Sequence, residues 1–222
     1  MRLALFDLDG TLLPIDSDHA FGEYLIASGW ADGDAYRRRN DEFFAQYRAE
    51  TLDIGAYVDF CTAAWRDRPQ RELQALQARF VEEVARPALR PAAQALVQRH
   101  REAGDLMAIV TATNEFVTRP FAQLFGVPTL IATELERDGA GRPTGAIRGT
   151  PAFRDGKIER VHAWLRSIGR DFGEFEDQVF YSDSTNDLAL LEHVSQPVAT
   201  NPSPALEAVA QRRRWPILRL FE

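Results

Sequence analysis

The stretch LALFDLDGTLL, Leu3 to Leu13, places the tightest constraint on how this chain can fold. Its first four residues, Leu3 to Phe6, read as a short strand buried on both faces. Asp7 and Asp9 follow at once, then Gly10. Two carboxylates that close repel one another unless something cationic sits between them. The same pattern, an apolar run broken by polar residues, returns later in the chain. Leu106 to Val110 (LMAIV) runs into Thr111, Gln178 to Tyr181 (QVFY) runs into Ser182 and Asp183, and a short PVAT follows at Pro197 to Thr200. Helices are predicted between these runs. One covers Pro91–Ala103 with Gly104 as its stop, and one runs from an Asn114 N-cap through Leu124 with Gly126 beyond. A third covers Asp155–Ile168. Strands alternating with helices predict an α/β fold, a doubly wound parallel sheet with a Rossmann-like core.

The stretch from about Asp16 to Arg86 breaks that alternation and carries only helical periodicity. Phe21, Tyr24 and Leu25 share one face. Tyr36, Asn40, Phe43, Phe44 and Tyr47 form a second, Ile54, Tyr57, Val58, Cys61 and Trp65 a third, and Leu73, Leu76, Phe80 and Val84 a fourth. This predicts a helical cap, residues 16–86, inserted in an α/β core made of residues 1–15 and 87–222. A plain helical extension of the core is the alternative. The Gly-rich TELERDGAGRPTGAIRG predicts a β-hairpin, Ile131 to Leu135 against Thr144 to Arg148.

Net charge is −7, which argues against a general role on nucleic acid. The basic clusters Arg37 to Arg39 and Arg212 to Arg214 read as solvated helix faces. Cys61 is the single cysteine, so no disulfide within the chain and no cysteine-based zinc site is expected, which suits a reducing compartment. The N-terminal apolar run is too short for a signal peptide, and no stretch approaches the roughly 18 apolar residues of a membrane span. A cytoplasmic protein with no membrane partner is the expectation. His19, His100, His162 and His193 lack metal-ligand spacing and read as surface or helix residues.

The chemistry-bearing residues fall where the apolar runs end: Asp7 and Asp9, then Thr111 within TATN, then Asp183 and Asp187 within SDSTND. Ligands of an open parallel sheet bind beyond the carboxyl ends of its strands, so residues distant in sequence would meet on one rim. Several carboxylates gathered there make a hard oxygen site suited to magnesium. Such a cation would offset the repulsion between Asp7 and Asp9. Taken singly, the acids could equally be turn residues or helix starts.

DLDGTL at Asp7 to Leu12, Thr111, Lys157 and SDSTND at Ser182 to Asp187, in that order, resemble the four motifs of the haloacid dehalogenase superfamily. The helical insert after the first strand and the GxxKxxRV pattern at Gly156 to Val161 are similar to its phosphoserine-phosphatase-like subgroup. The resemblance implies a nucleophile at Asp7 that forms an aspartyl-phosphate. It implies that Asp9 is the acid that protonates the leaving alcohol and then activates water. Thr111 and the amide of Ala112 would hold the phosphoryl oxygens, and Lys157 would keep phosphoryl group and nucleophile in register. Asp7, Asp183 and the backbone carbonyl of Asp9 would bind Mg2+, and Asp187 would support the metal's water shell. Ser182 stands where many relatives carry glycine. Asp16 lies where phosphoserine phosphatases carry a glutamate for the substrate amine, although DSD at Asp16 to Asp18 also suits a plain helix N-cap. Arg48 and Arg66 are cap arginines that could meet a substrate carboxylate.

The leading expectation is a Mg2+-dependent phosphatase acting on a small phosphorylated metabolite, with phosphoserine and histidinol phosphate as candidates. A phosphotransferase of the same family is close to it, since an acceptor alcohol could replace water. A phospho-receiver signalling domain also uses strand-end aspartates, a threonine and a lysine, but carries no metal aspartate after that lysine, whereas Asp183 and Asp187 follow Lys157. A dinucleotide-binding oxidoreductase is disfavoured by the absence of G-x-G-x-x-G after the first strand.

Overall fold

The computed structural model describes residues 1–221. Along the chain, β1 (Leu3–Phe6) is followed by α1 (Ser17–Ala27), α2 (Gly33–Arg48), α3 (Ile54–Ala63), α4 (Gln70–Phe80) and the short α5 (Arg86–Ala88). Then come α6 (Pro91–Glu102), β2 (Leu106–Asn114), α7 (Glu115–Phe125), β3 (Thr129–Thr133), β4 (Leu135–Arg137) and β5 (Pro143–Ile147). The chain closes with α8 (Asp155–Ser167), β6 (Gln178–Ser182), α9 (Leu188–His193), β7 (Gln196–Thr200), α10 (Pro204–Arg213) and β8 (Ile217–Leu218). Six strands make one sheet in the order β3-β2-β1-β6-β7-β8, and every pairing in it is parallel.

Alternation along β1 explains why the sheet is covered on both faces. Ala4 and Phe6 point into one apolar layer with Phe21, Phe80, Leu96 and Phe121. Leu3 and Leu5 point into the other with Val161, Leu165, Leu190 and Leu206. All four strand residues are fully buried, and each large one contributes about 1.5–3 kcal/mol by leaving water. Phe6 also stacks on Tyr181 of the neighbouring strand, with ring centroids 5.3 Å apart. Cap chemistry sets the helix ends as the sequence suggests. The Asn114 side chain accepts from the Phe116 and Val117 amides, and Gly126 ends α7 in the left-handed region.

Two expectations need correction. The predicted hairpin begins too early: Thr129–Thr133 is β3, at the edge of the main sheet, and only Leu135–Arg137 pairs antiparallel with β5. Ile131, Ala132 and Thr133 are buried, so they belong to a two-sided strand rather than to an exposed ribbon. The second apolar run also continues past Thr111 as strand to Asn114, with an irregular register between Val110 and Asn114. Burial outlasts the polar residues there, so hydropathy alone places the strand end too soon.

The inserted helices form as the periodicity predicts. Phe21, Tyr24, Leu25, Val58, Trp65, Leu73, Leu76 and Phe80 join the same apolar layer as Ala4 and Phe6, and Trp65 stacks on Phe116 of α7 at 4.3 Å. Aromatic contacts tie α2 to α3: Tyr36 and Phe43 on Phe60, and Phe43 on Tyr57. The end of α2 is pinned to the core rim. The Asn186 amide donates to the Tyr47 carbonyl at 3.1 Å, Arg154 donates to the Glu50 carbonyl, and Thr185 donates to the Glu50 carboxylate. No helix among the described residues is long and apolar enough to cross a membrane.

Candidate active site

Strand order reverses beside β1, with β2 on one side and β6 on the other. The crevice at such a reversal is where open α/β sheets take their ligands. Asp7 sits at that point; its N–H donates to the Tyr181 carbonyl of β6 at 2.9 Å. Lys157, in the first turn of α8, reaches it from far along the sequence. Its Nζ lies 2.9 Å from Asp7 Oδ1 and 2.7 and 2.8 Å from the two Asp187 oxygens. The Thr11 hydroxyl spans the remaining gap, 3.0 Å from Asp7 Oδ2 and 3.4 Å from Asp183 Oδ1. Asp7, Asp183, Asp187 and Lys157 therefore share one rim, although 180 residues separate the first from the third in the chain numbering. Gly10, at φ +73°, is required rather than convenient: a Cβ there would collide with the Asp183 carboxylate.

Asp9 is held differently. Its Oδ1 accepts from the Ser17 amide at 2.7 Å and its Oδ2 from the Thr113 hydroxyl at 3.0 Å. Thr113 is a partner that sequence reasoning missed, although TATN was in view; the strand's irregular register turns Thr111, Ala112 and Thr113 to the pocket together. Thr111 is buried, and its Oγ1 accepts from the Thr113 amide at 3.2 Å. Asp187 directs both oxygens at Lys157 and accepts a hydroxyl hydrogen bond from Ser182 at 2.8 Å. Its carboxylate is thus engaged with the lysine first, and the serine that replaces glycine has a role in holding it.

Electrostatics separate the acids. Burial pushes Asp7 up to about 6, with Lys157 pulling against that rise. Burial, then Asp16 and Asp7, carry Asp9 well above the usual carboxylate range. Asp183 is raised by burial and by Asp7 and Asp187. Burial would lower Lys157, but Asp187 and Asp7 outweigh it and hold the ammonium above its ordinary value. Lys157 pairs with Asp7 and Asp187, whereas Asp9, Asp16 and Asp183 have no lysine or arginine ion pair among the described residues, so the excess of carboxylates suits a hard divalent ion. No group of three His, Cys, Asp or Glu side chains gathers about one point among the described residues.

A pocket opens over the rim. It is lined by Asp7, Asp9, Thr111, Ala112 and Thr113 below, and by Asp16, Asp18, His19, Asn40, Phe43, Phe44, Tyr47 and Tyr57 from the inserted helices. The aromatic residues of α2 and α3 read from sequence as packing residues; here part of their surface faces a cavity. Asp16 caps α1, its Oδ1 accepting the His19 amide at 2.8 Å, and it also lines the pocket. His19 reads from sequence as a surface or helix residue. It lines the pocket, packs on Phe44 and meets Asp41 Oδ1 at 2.8 Å. His100 is buried between Asp105 and Tyr181, at 2.8 and 2.9 Å, away from the pocket. Arg66 is engaged with Asp59 at 2.5 Å, and Arg48 borders a neighbouring cleft instead.

The profile of haloacid dehalogenase-like hydrolases matches residues 4–192, a span that includes every rim residue. The chain belongs to this family. A histidinol-phosphatase of Neisseria meningitidis is 41% identical over 217 residues, covering 98% of each chain. A phosphoserine phosphatase of Mycobacterium tuberculosis is 29% identical, over 96% of this chain and 69% of that protein. A Bordetella pertussis crystal structure of unknown function superposes with a TM-score of 0.93 at 47% identity over 99% of both chains. A substrate-bound phosphoserine phosphatase, at 16% identity and a TM-score of 0.68, shares the fold over 97% of this chain and 91% of its own. The chain is thus a haloacid dehalogenase-like hydrolase, and two of its relatives are a histidinol-phosphatase and a phosphoserine phosphatase.

Proposed function

We propose that this phosphatase hydrolyses an amino-alcohol phosphate with no carboxylate, and that histidinol phosphate is its substrate. The observation that carries this reading is the charge of the pocket. Asp16 and Asp18 stand among aromatic rings, and no arginine or lysine lines the cavity among the described residues. Histidinol phosphate presents an ammonium and a planar imidazole to such walls. Phosphoserine presents a carboxylate as well, and its desolvation opposite two acids would be uncompensated. The 41% identity to a histidinol-phosphatase supports the same substrate.

Residues 16–86 act as the cap and the rim as the catalytic floor. Asp7, paired with Lys157, is the nucleophile: one of its oxygens bonds to phosphorus while the ester oxygen leaves. Asp9 holds the proton that the leaving alkoxide takes; burial, with Asp16 and Asp7 nearby, raises its affinity for a proton, which suits an acid in this role. The deprotonated Asp9 then takes a proton from water as that water's oxygen attacks phosphorus, releasing phosphate and regenerating Asp7. Thr111, the Ala112 amide and Lys157 hold the phosphoryl oxygens. Magnesium, bound by Asp7, Asp183 and the Asp9 carbonyl, would supply charge neutralisation. Asp187 orients Lys157.

Purified protein with magnesium, tested on L-histidinol phosphate, O-phospho-L-serine and an aryl phosphate, decides the matter. Histidinol phosphate is expected to exceed phosphoserine in kcat/KM by about 100-fold or more, and a chelator is expected to abolish all three activities. Preference for phosphoserine would overturn the substrate assignment.

A further inference from the structure

Asp16 and Asp18 lie one turn-start apart on the same wall, yet their side chains are in different situations. Asp16 receives the amides of His19 and Asp18, so it is occupied in capping α1. Asp18 caps nothing. It is 6% exposed, lines the pocket, and has no lysine, arginine or histidine partner among the described residues. Its hydrogen bonds come from neutral groups. Asn114 Nδ2 approaches Oδ1 at 3.5 Å, the limit of a hydrogen bond, and the Tyr57 hydroxyl faces it from α3. A buried carboxylate with no counter-ion is unfavourable in the free protein. Its position is nevertheless fixed, because Asn114 is itself immobilised as the N-cap of α7 at the end of the strand that carries Thr111.

We infer that Asp18, rather than the helix-capping Asp16, is the residue that binds the substrate's ammonium group and so selects amine-bearing phosphate esters. A phosphoryl group held at Asp7 and Thr111 puts the organic part of the ester in the pocket that Asp18 lines. The ligand's ammonium then supplies the counter-charge that the protein lacks, and a desolvated, hydrogen-bonded pair of that kind is strong. His19 also lines the pocket, but its ring is paired with Asp41 and makes no ion pair with Asp18. This inference rests on the amino-alcohol reading above and assigns its specificity to one side chain.

The test compares kcat/KM for L-histidinol phosphate with that for its deaminated counterpart, 3-(imidazol-4-yl)propyl phosphate, in the wild-type enzyme, Asp18→Asn and Asp16→Asn. The wild type is expected to prefer the amine ester. Asp18→Asn is expected to lower that preference about 30-fold, the worth of one charge-assisted hydrogen bond, and Asp16→Asn to lower it far less, since asparagine also caps a helix. Asp18→Ser serves the same comparison if the asparagine variant does not fold. A wild-type preference that survives in the Asp18 variants, or one lost in Asp16→Asn instead, overturns the role of Asp18 alone. A wild type that shows no preference for the amine overturns the amino-alcohol reading together with it.

Discussion

The floor and the wall of this pocket are both built from aspartates, but the floor sets a cation of the protein, Lys157, between two of its carboxylates, and the wall does not. On the floor, Asp7 and Asp187 flank Lys157 at hydrogen-bond distance, Thr11 bridges Asp7 and Asp183, and Ser182 supports Asp187. On the wall, Asp18 has only an amide at 3.5 Å and a phenol beside it. The difference separates two functions. On the proposed function a phosphoryl group is common to every substrate, and the groups proposed to meet it are organised in advance. The organic part differs between substrates, and the wall leaves a charge open for it to satisfy.

The change expected to have the largest effect breaks the floor and spares the wall. Asp7→Asn should reduce kcat by at least about 10⁴-fold, as loss of a nucleophile does. Binding of L-histidinol, the alcohol product, should persist in the same variant, measured by calorimetry. Residual turnover near the wild-type rate would remove Asp7 from the nucleophile's position. Loss of product binding would show that floor and wall are not separable.

Lys157→Met comes next. It should lower kcat by about 10²–10³-fold through lost charge stabilisation and destabilise the metal-free protein by about 3–5 kcal/mol, because Asp7 and Asp187 would then face one another buried and unpaired. Urea unfolding measures the second effect. A variant as stable as the wild type would mean that Asp7 and Asp187 do not depend on the lysine between them, and the pairing described for the floor would fail.

The floor was legible in the chain and the wall was not, for a physical reason. Asp7, Thr111 and Asp183 follow apolar runs directly, and a parallel sheet carries strand ends to one edge whatever the sequence distance. Lys157 was the harder residue: a helix-start lysine is usually solvated, and only the geometry shows that it is 1% exposed between two acids. Phe43, Tyr47 and Tyr57 lie on helical stripes, and a stripe that lines a cavity has the same periodicity as one that fills a core. Asp18 hid within DSD, where an N-cap accounts for acids without any ligand. Thr113 became visible only with the irregular end of β2, and the hairpin boundary was misplaced because Ile131 to Thr133 alternate like a ribbon while being buried on both sides.

The smallest effect sharpens the contrast most directly, because it needs no substrate. Burial, then the charge of Asp16, pushes Asp18 up from 3.8 to about 7, so the folded state disfavours its ionised form. Below pH 3.8 the carboxyl is protonated whether the chain is folded or not, and contributes nothing to the pH dependence. Between 3.8 and about 7 the unfolded chain loses the proton while the folded one keeps it, so stability declines as pH rises. Above 7 the full penalty is in place, at most about 4 kcal/mol for a shift of that size. Asp18→Asn removes that penalty. The variant should therefore melt several degrees above the wild type at pH 8, and the gain should shrink steadily as the pH is lowered towards 3.8. L-histidinol should raise the melting temperature of the wild type more than that of the variant, since the ligand's ammonium offsets a charge that only the wild type carries. An Asp18→Asn protein that melts below the wild type at pH 8 would mean that the carboxylate already has a counter-charge in the free enzyme, and the wall would then pair its acid as the floor pairs Asp7.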